Sequence, residues 1–258
     1  MNTNANSKRQ GERIAKVLAR AGVGSRRDVE RMIAAGRIRL SGRVLDSPAM
    51  RITGVDAVTV DGRPVAAPGR TRLWRYHKPR GRLTTARDPQ GRATIFDDLP
   101  ADLGRVITVG RLDFNSEGLL LLTNDGEIAR WMELPSTGWT RCYRVRAHGR
   151  PSAKALASLA EGVTIDGMRY GPVTAELERQ HGANAWLKVS LREGRNREVR
   201  RVLEHLGLTV NRLIRISYGP FQLGRLAPGE VRAVRARVLA DQLGAAFPRL
   251  CERPASDG

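Results

Sequence analysis

Asp113 lies in the stretch GRLDFNSEGLLLLTNDG, residues 110–126, in a loop flanked by Gly110 and Gly118 that also presents Arg111, Asn115, Ser116 and Glu117. The apolar runs on either side, RVITV and LLLLT, read as buried strands. A loop held between such strands moves little, which makes it a good place to fix a reacting group. A carboxylate there can serve as a nucleophile, a base or a metal ligand, and charge and spacing alone do not choose among these. A second group, LREGRNREVRRVLEHLG, gathers Arg192, Arg195, Arg197, Arg200 and Arg201 within ten positions. Unaided, it reads as a solvated helix face or a contact to phosphates. Tyr143 sits in CYRVRAHG, where apolar and polar residues alternate as in a half-exposed strand. Its ring suits either a core or the face of a base.

Other chemistry is poorly represented. His77, His148, His181 and His205 are scattered without ligand spacing, and Cys142 and Cys251 are too few for a disulfide framework or a four-thiolate zinc site. The chain has neither a phosphate-binding loop nor a dinucleotide fingerprint. No metal and no cofactor are expected.

The elements that must position these groups fall into two sets. Residues 1–10 are polar and read as a flexible tail. ERIAKVLARAG, residues 12–22, carries Ile14, Val17 and Leu18 on one helical face and stops at Gly22. Ser25 then stands as the N-cap of RRDVERMIAAG, where Val29, Met32 and Ile33 recur at helical spacing up to Gly36. IRLSGRVL reads as a hairpin turning at Ser41-Gly42, and VDAVTVDG adds a short strand. Domain boundaries are expected at residues 10–62 and 72–243, with the Pro/Gly-rich segment 63–71 as linker and 244–258 as a loose tail.

In the second domain LWRYH leads into the turn-like KPRG, and RVITV, LLLLT, CYRVRAHG, TAELER, AWLKVSL and TVNRLIRIS read as strands, with a loop and VRAV after the last. EIARWME, PSAKALASLAEG, NREVRRVLEHLG (capped by Asn196) and residues 235–243 read as helices. Strands outnumber helices and do not alternate regularly with them, so the pattern predicts an α+β fold with a mixed or antiparallel sheet.

Composition narrows the partner. The chain has 258 residues, 41% of them hydrophobic, and 45 Lys plus Arg against 26 Asp plus Glu give a net charge of +19. Such a chain buries a workable core, and its charge argues against a typical acidic metabolic enzyme and favours a polyanionic partner. Of the basic residues 40 are Arg and 5 are Lys. A genome rich in G and C can produce that skew, so the sign of the charge carries the inference and the Arg preference does not. The polar N-terminus lacks the apolar core of a signal peptide, and no run approaches the roughly 20 apolar residues of a membrane helix. A soluble cytoplasmic protein is expected.

The segment GERIAKVLARAGVGSRRDVERMIAAGRIRLSGRVL resembles the alpha-L RNA-binding domain first described in a small-subunit ribosomal protein. The shared features are Ser25-Arg26-Arg27, the Gly36-Arg37 step and the Ser41-Gly42 turn, where Asn more often precedes Gly. The resemblance implies a basic face of Arg26, Arg27, Arg37, Arg39 and Arg43, with Ser25, on structured RNA.

The second domain resembles the pseudouridine synthases, specifically the ribosomal RNA group whose small members carry the same N-terminal module. KPRG, the RLD triplet, the TNDGE turn and EGRNREVRR occur in the family's order and span nearly the whole domain. The resemblance implies that Asp113 is the essential catalytic residue and that Arg111 beside it bridges carboxylate and RNA. It further implies that Tyr143 packs on the target base and that Arg200 pairs with Asp113. Lys78, Arg141, Arg195, Arg197 and Arg201 are expected to contact RNA. Two residues depart from the family pattern: Arg141 stands where lysine is usual and Glu198 where glutamine is usual. The implied reaction converts uridine to pseudouridine after base flipping, in large-subunit ribosomal RNA of the kind modified by the B-type members. The protein is expected to act as a monomer. Small-subunit or transfer RNA is the alternative target. A non-catalytic ribosome-assembly factor is the alternative from another class, and it would tolerate loss of Asp113.

Overall fold

The computed structural model describes residues 11–247, so the expected tails, residues 1–10 and most of 244–258, lie outside the described residues. Two compact units form. The first takes the chain up to Thr71 together with Asp102–Val106 and Asn124–Gly126, and the second takes the remainder.

The first unit contains β1 (Glu12–Arg13), α1 (Ile14–Arg20), α2 (Arg26–Ala34), β2 (Ile38–Leu40), β3 (Arg43–Val44), β4 (Arg51–Ile52), β5 (Val58–Val60) and β6 (Arg63–Pro64). The helix expected from Glu12 begins two residues later, because Glu12 and Arg13 are extended and pair with β4. Ser25 caps α2 as its position predicts. Its hydroxyl accepts from Asp28 N–H while the Asp28 carboxylate accepts from Ser25 N–H, closing a capping box. Ser41 and Gly42 both take positive φ, +49° and +79°, the pair of conformations a tight two-residue hairpin requires. Ile14, Val17, Leu18, Val29, Ile33 and Ile38 meet in one core.

The second unit contains β7 (Leu73–Lys78), β8 (Ile107–Val109), β9 (Ser116–Thr123), α3 (Gly126–Glu133, all but its first residue), β10 (Arg141–His148), α4 (Ala153–Ser158), β11 (Val163–Ile165) and β12 (Met168–Tyr170). It continues with β13 (Val173–His181), β14 (Asn184–Leu191), α5 (Glu198–His205), β15 (Thr209–Tyr218), β16 (Phe221–Gln222), β17 (Val231–Ala233) and α6 (Ala236–Leu243). Its main sheet runs β13-β14-β10-β15-β9-β7-β17, with β8 on β9 and β16 on β15. Every pairing in it is antiparallel except β9 with β15. The fold is therefore α+β on a mixed sheet. β9 is buried along its whole length, as LLLLT implies. β13 has one neighbour and forms an outer edge, with most of its residues exposed. Leu119, Leu121, Ile128, Met132, Phe221 and Leu239 belong to the core under α3 and α6.

Two local expectations change. RVITV supplies a strand only from Ile107, and the residues before it belong to the first unit. Helix α5 is capped at Arg197 and not at Asn196. Arg197 adopts a left-handed φ of +53°, and the Glu198 carboxylate accepts the Arg195 N–H at 2.9 Å, turning the chain before the helix starts.

Candidate active site

β9 and β15 run parallel with Gly118 opposite Arg215. Gly118 has φ +103°, and a Cβ there would overlap the Arg215 backbone. Only glycine lets the two strands approach so closely, and this approach fixes where the loop before β9 ends. That loop, residues 110–116, borders a cavity of about 960 Å³ within the second unit.

The loop backbone is held at nearly every step. Gly110 N–H donates to Glu133 at 2.7 Å, and the Thr84 hydroxyl donates to Leu112 O at 2.8 Å. The Lys78 ammonium donates to Asp113 O (3.1 Å) and Ser116 O (2.8 Å), and its third bond goes to Pro79 O at 3.0 Å. Gly81 N–H donates to Phe114 O at 2.9 Å. Arg200 donates to Asn115 O at 3.3 Å and to Val210 O at 2.9 Å. Four consecutive carbonyls, from Asp113 to Ser116, thus have donors supplied from outside the loop. Arg111, Asp113 and Phe114, on this fixed backbone, border the cavity.

The opposite wall comes from β10, β15 and the segment before α5. Tyr143 on β10 borders the cavity and is 8% exposed. Tyr218, on the same wall, lies between two guanidinium groups, Arg141 at 4.7 Å and Arg215 at 5.1 Å from its ring centroid. Arg215 is buried and donates to Leu119 O at 2.7 Å. The rim is cationic: Arg111, Arg192, Arg195 and Arg197 are exposed there.

Burial shapes the charges. Removal from water pushes the Lys78 ammonium down from 10.5 to about 8, although the charges of Asp113 and Glu117 oppose the shift. Burial also lowers Arg200 and raises the Glu198 carboxyl. Glu117 does not line the cavity. It is buried and held by Arg212 at 2.7 and 3.1 Å.

The structure brings Asp113, Tyr143 and Arg111 to one cavity, as their motifs imply, and corrects other expectations. Arg200 is buried but bonds to two backbone carbonyls, not to the Asp113 carboxylate. It fixes the loop through Asn115 O, while the charge of Asp113 still acts on it. Lys78, expected on RNA, is 0% exposed with its ammonium engaged by three carbonyls. Arg141, also expected on RNA, is buried and donates to Trp139 O, Arg192 O and the Tyr218 hydroxyl, bracing the segment before α5. The Ser25 hydroxyl is engaged in its helix cap.

The remaining cations stay on the surface. Arg26, Arg27 and Arg43 are exposed. Arg37 forms a two-bond pair with Asp61 at 2.8 and 2.6 Å, and Arg39 donates to Gly42 O. Arg195 pairs with Glu193, Arg201 donates to the Tyr170 hydroxyl, and Arg197 starts α5. Thr84, Arg215 and Tyr218 are residues that periodicity does not single out, because each reads as an ordinary strand or turn position. Among the described residues no three His, Cys, Asp or Glu side chains gather where they could hold a metal ion. No described helix is long and apolar enough to cross a membrane.

Residues 72–205 match the family described as RNA pseudouridylate synthase, and residues 12–58 match the S4 domain. An uncharacterised RNA pseudouridine synthase of Rickettsia prowazekii is 43% identical over 235 residues, covering 91% of this chain and 99% of the relative. The ribosomal large subunit pseudouridine synthase B of Pseudomonas aeruginosa is 44% identical over 91% of this chain, which spans 63% of that longer protein. Among solved structures, a pseudouridylate synthase crystal structure superposes with a TM-score of 0.63 at 23% identity, covering 88% of this chain and 97% of the other.

Proposed function

The chain belongs to the RNA pseudouridylate synthase family and is a pseudouridine synthase with an N-terminal S4 domain, and from that premise we propose that it isomerises a uridine of large-subunit ribosomal RNA, with Asp113 as the catalytic carboxylate. The observation that carries the catalytic assignment is the fixed loop: Asp113 borders a large cavity while its own carbonyl and the next three are held by external donors. A reacting group held this way keeps its geometry without help from the substrate. The choice of large-subunit RNA is supported by relatives of that name at 42–44% identity.

In the reaction the N1–C1′ bond breaks, a C5–C1′ bond forms, the proton on C5 leaves and N1 gains a proton. Atoms and electrons balance within the nucleotide, so no oxidant and no energy source is consumed. The target uridine leaves its stack to reach the cavity. Asp113 acts on the sugar, either by attack at C1′ or by taking a sugar proton to give a glycal-like intermediate, and both routes require the ionised carboxylate. Tyr143 offers its ring to the freed pyrimidine while it turns. Arg111 and the rim arginines Arg195 and Arg197 meet the phosphates. Lys78 and Arg200 position the loop. Residues 10–62 bind the RNA and residues 72–243 carry the chemistry.

The test is incubation of the protein with transcribed large-subunit RNA, followed by mapping of pseudouridine by primer extension after carbodiimide labelling. One modified position is expected with wild type and none with D113N, which should still bind the RNA in a filter assay. Product from a verified D113N preparation would overturn the assignment of Asp113. Product in small-subunit or transfer RNA alone would overturn the target while keeping the reaction.

A further inference from the structure

Phe114 follows Asp113 directly and is 42% exposed. The chain has four Trp, four Tyr and four Phe. All lie within the described residues, and only Phe114 among them is exposed. The other eleven are buried or half-buried, so the fold covers its aromatic rings everywhere except beside the candidate catalytic carboxylate. An isolated surface Phe needs no explanation in itself. This one borders the cavity, and its backbone is locked: Gly81 N–H holds its own carbonyl, and Lys78 and Arg200 hold the carbonyls on either side. The ring therefore stands out on a rigid base before any RNA arrives. The same cavity is bordered by Arg111, Arg192, Arg195 and Arg197, all exposed. A flat apolar ring on a cavity bordered by cations suits a stack of bases between phosphates better than an apolar protein groove.

We infer that Phe114 is a wedge: it enters the RNA stack beside the target uridine and fills the gap left when that base turns into the cavity. The inference rests on the proposed uridine isomerisation and deepens it. Drawing a base out of a helix costs stacking and pairing, least for a base already unpaired. Apolar side chains inserted between base steps offset that cost in other proteins that deform nucleic acids. Here the wedge and the carboxylate are adjacent residues, so insertion of one brings the other to the sugar of the extruded nucleotide.

The test uses the full chain and two versions of the RNA fragment that carries the product. In one the target uridine is paired within a helix, and in the other the opposing nucleotide is deleted so that the uridine is already unpaired. Single-turnover rates are compared for wild type, F114A and F114W. F114A should lose at least about tenfold more rate on the paired RNA than on the unpaired one, a difference of the size expected for removing one base–aromatic stack. F114W should recover most of that selective loss. As a second reading, 2-aminopurine next to the target should brighten on binding of D113N and brighten less with the D113N/F114A double variant. Equal losses by F114A on both RNAs, with unchanged 2-aminopurine signal, would overturn the wedge. Absence of product from wild type on both RNAs would overturn the proposed function itself, and the wedge with it.

Discussion

Lys78 shows how a single buried side chain can hold a loop in place from beneath it. Its ammonium joins the strand end at Pro79 to the loop at Asp113 and Ser116, so replacing it with methionine leaves buried carbonyls without their donor. K78M should lower kcat by about 100-fold, the cost of a misplaced reacting group, and lower stability by about 1–3 kcal/mol, as checked by single-turnover rates and thermal melts. The pH dependence has a defined sign. Burial brings Lys78 from 10.5 to about 8, so between those values the unfolded chain binds the proton more tightly than the folded one, and this group's contribution to stability rises with pH. Activity should move the other way, because a neutral amine has two N–H groups for three carbonyls. Wild-type kcat should fall above about pH 8, with no matching fall in melting temperature from this group, and K78M should lack that limb. KPRG as a string resembles an RNA contact. The partners of its lysine, Asp113 and Ser116, are too distant in sequence for any local pattern to connect them. Arg141 and Arg200 escape sequence reasoning for the same reason: an arginine near a candidate site looks like a ligand for a charge until the carbonyls it satisfies are known.

At the scale of elements, the parallel seam between β9 and β15 decides where the candidate catalytic loop ends. At Gly118 on that seam a side chain cannot be fitted, and the positive φ adds backbone strain for any other residue. G118A should destabilise the protein by about 2–4 kcal/mol, read as a shift in the urea midpoint, and should lower activity in the fraction that folds. Sequence periodicity locates most of the elements around this seam. Ser25 and Val29 mark α2, and the unbroken LLLLT marks a strand buried on both faces. The pairing itself is not legible, since the parallel neighbour of β9 arrives only after five intervening strands and three helices. The start of α5 is not legible either. Asn196 has the chemistry of a cap, but Glu198 binding the Arg195 N–H bends the chain so that Arg197 takes the position.

For the whole molecule, the charge of +19 makes RNA binding a salt-dependent quantity. Removing one cation that meets a phosphate should reduce the logarithmic salt slope by about 0.7–0.9. R26A and R27A, which remove exposed cations at the start of α2, should each do so in a filter-binding titration. R37A should have a smaller effect, because Arg37 already pairs with Asp61. The outer strand β13 has a consequence of another kind. Its nine residues, exposed from Glu176 onward, form an outer edge that offers a template on which a second copy could extend the sheet, and such edges seed fibrils unless something repels the newcomer. Glu176, Glu178, Arg179 and Gln180 stand along it in place of the apolar residues a central strand would carry. Their value lies in what they prevent: with E176V and E178V the chain should sediment as larger species than wild type at the same concentration, so part of this sequence is written for solubility and not for catalysis.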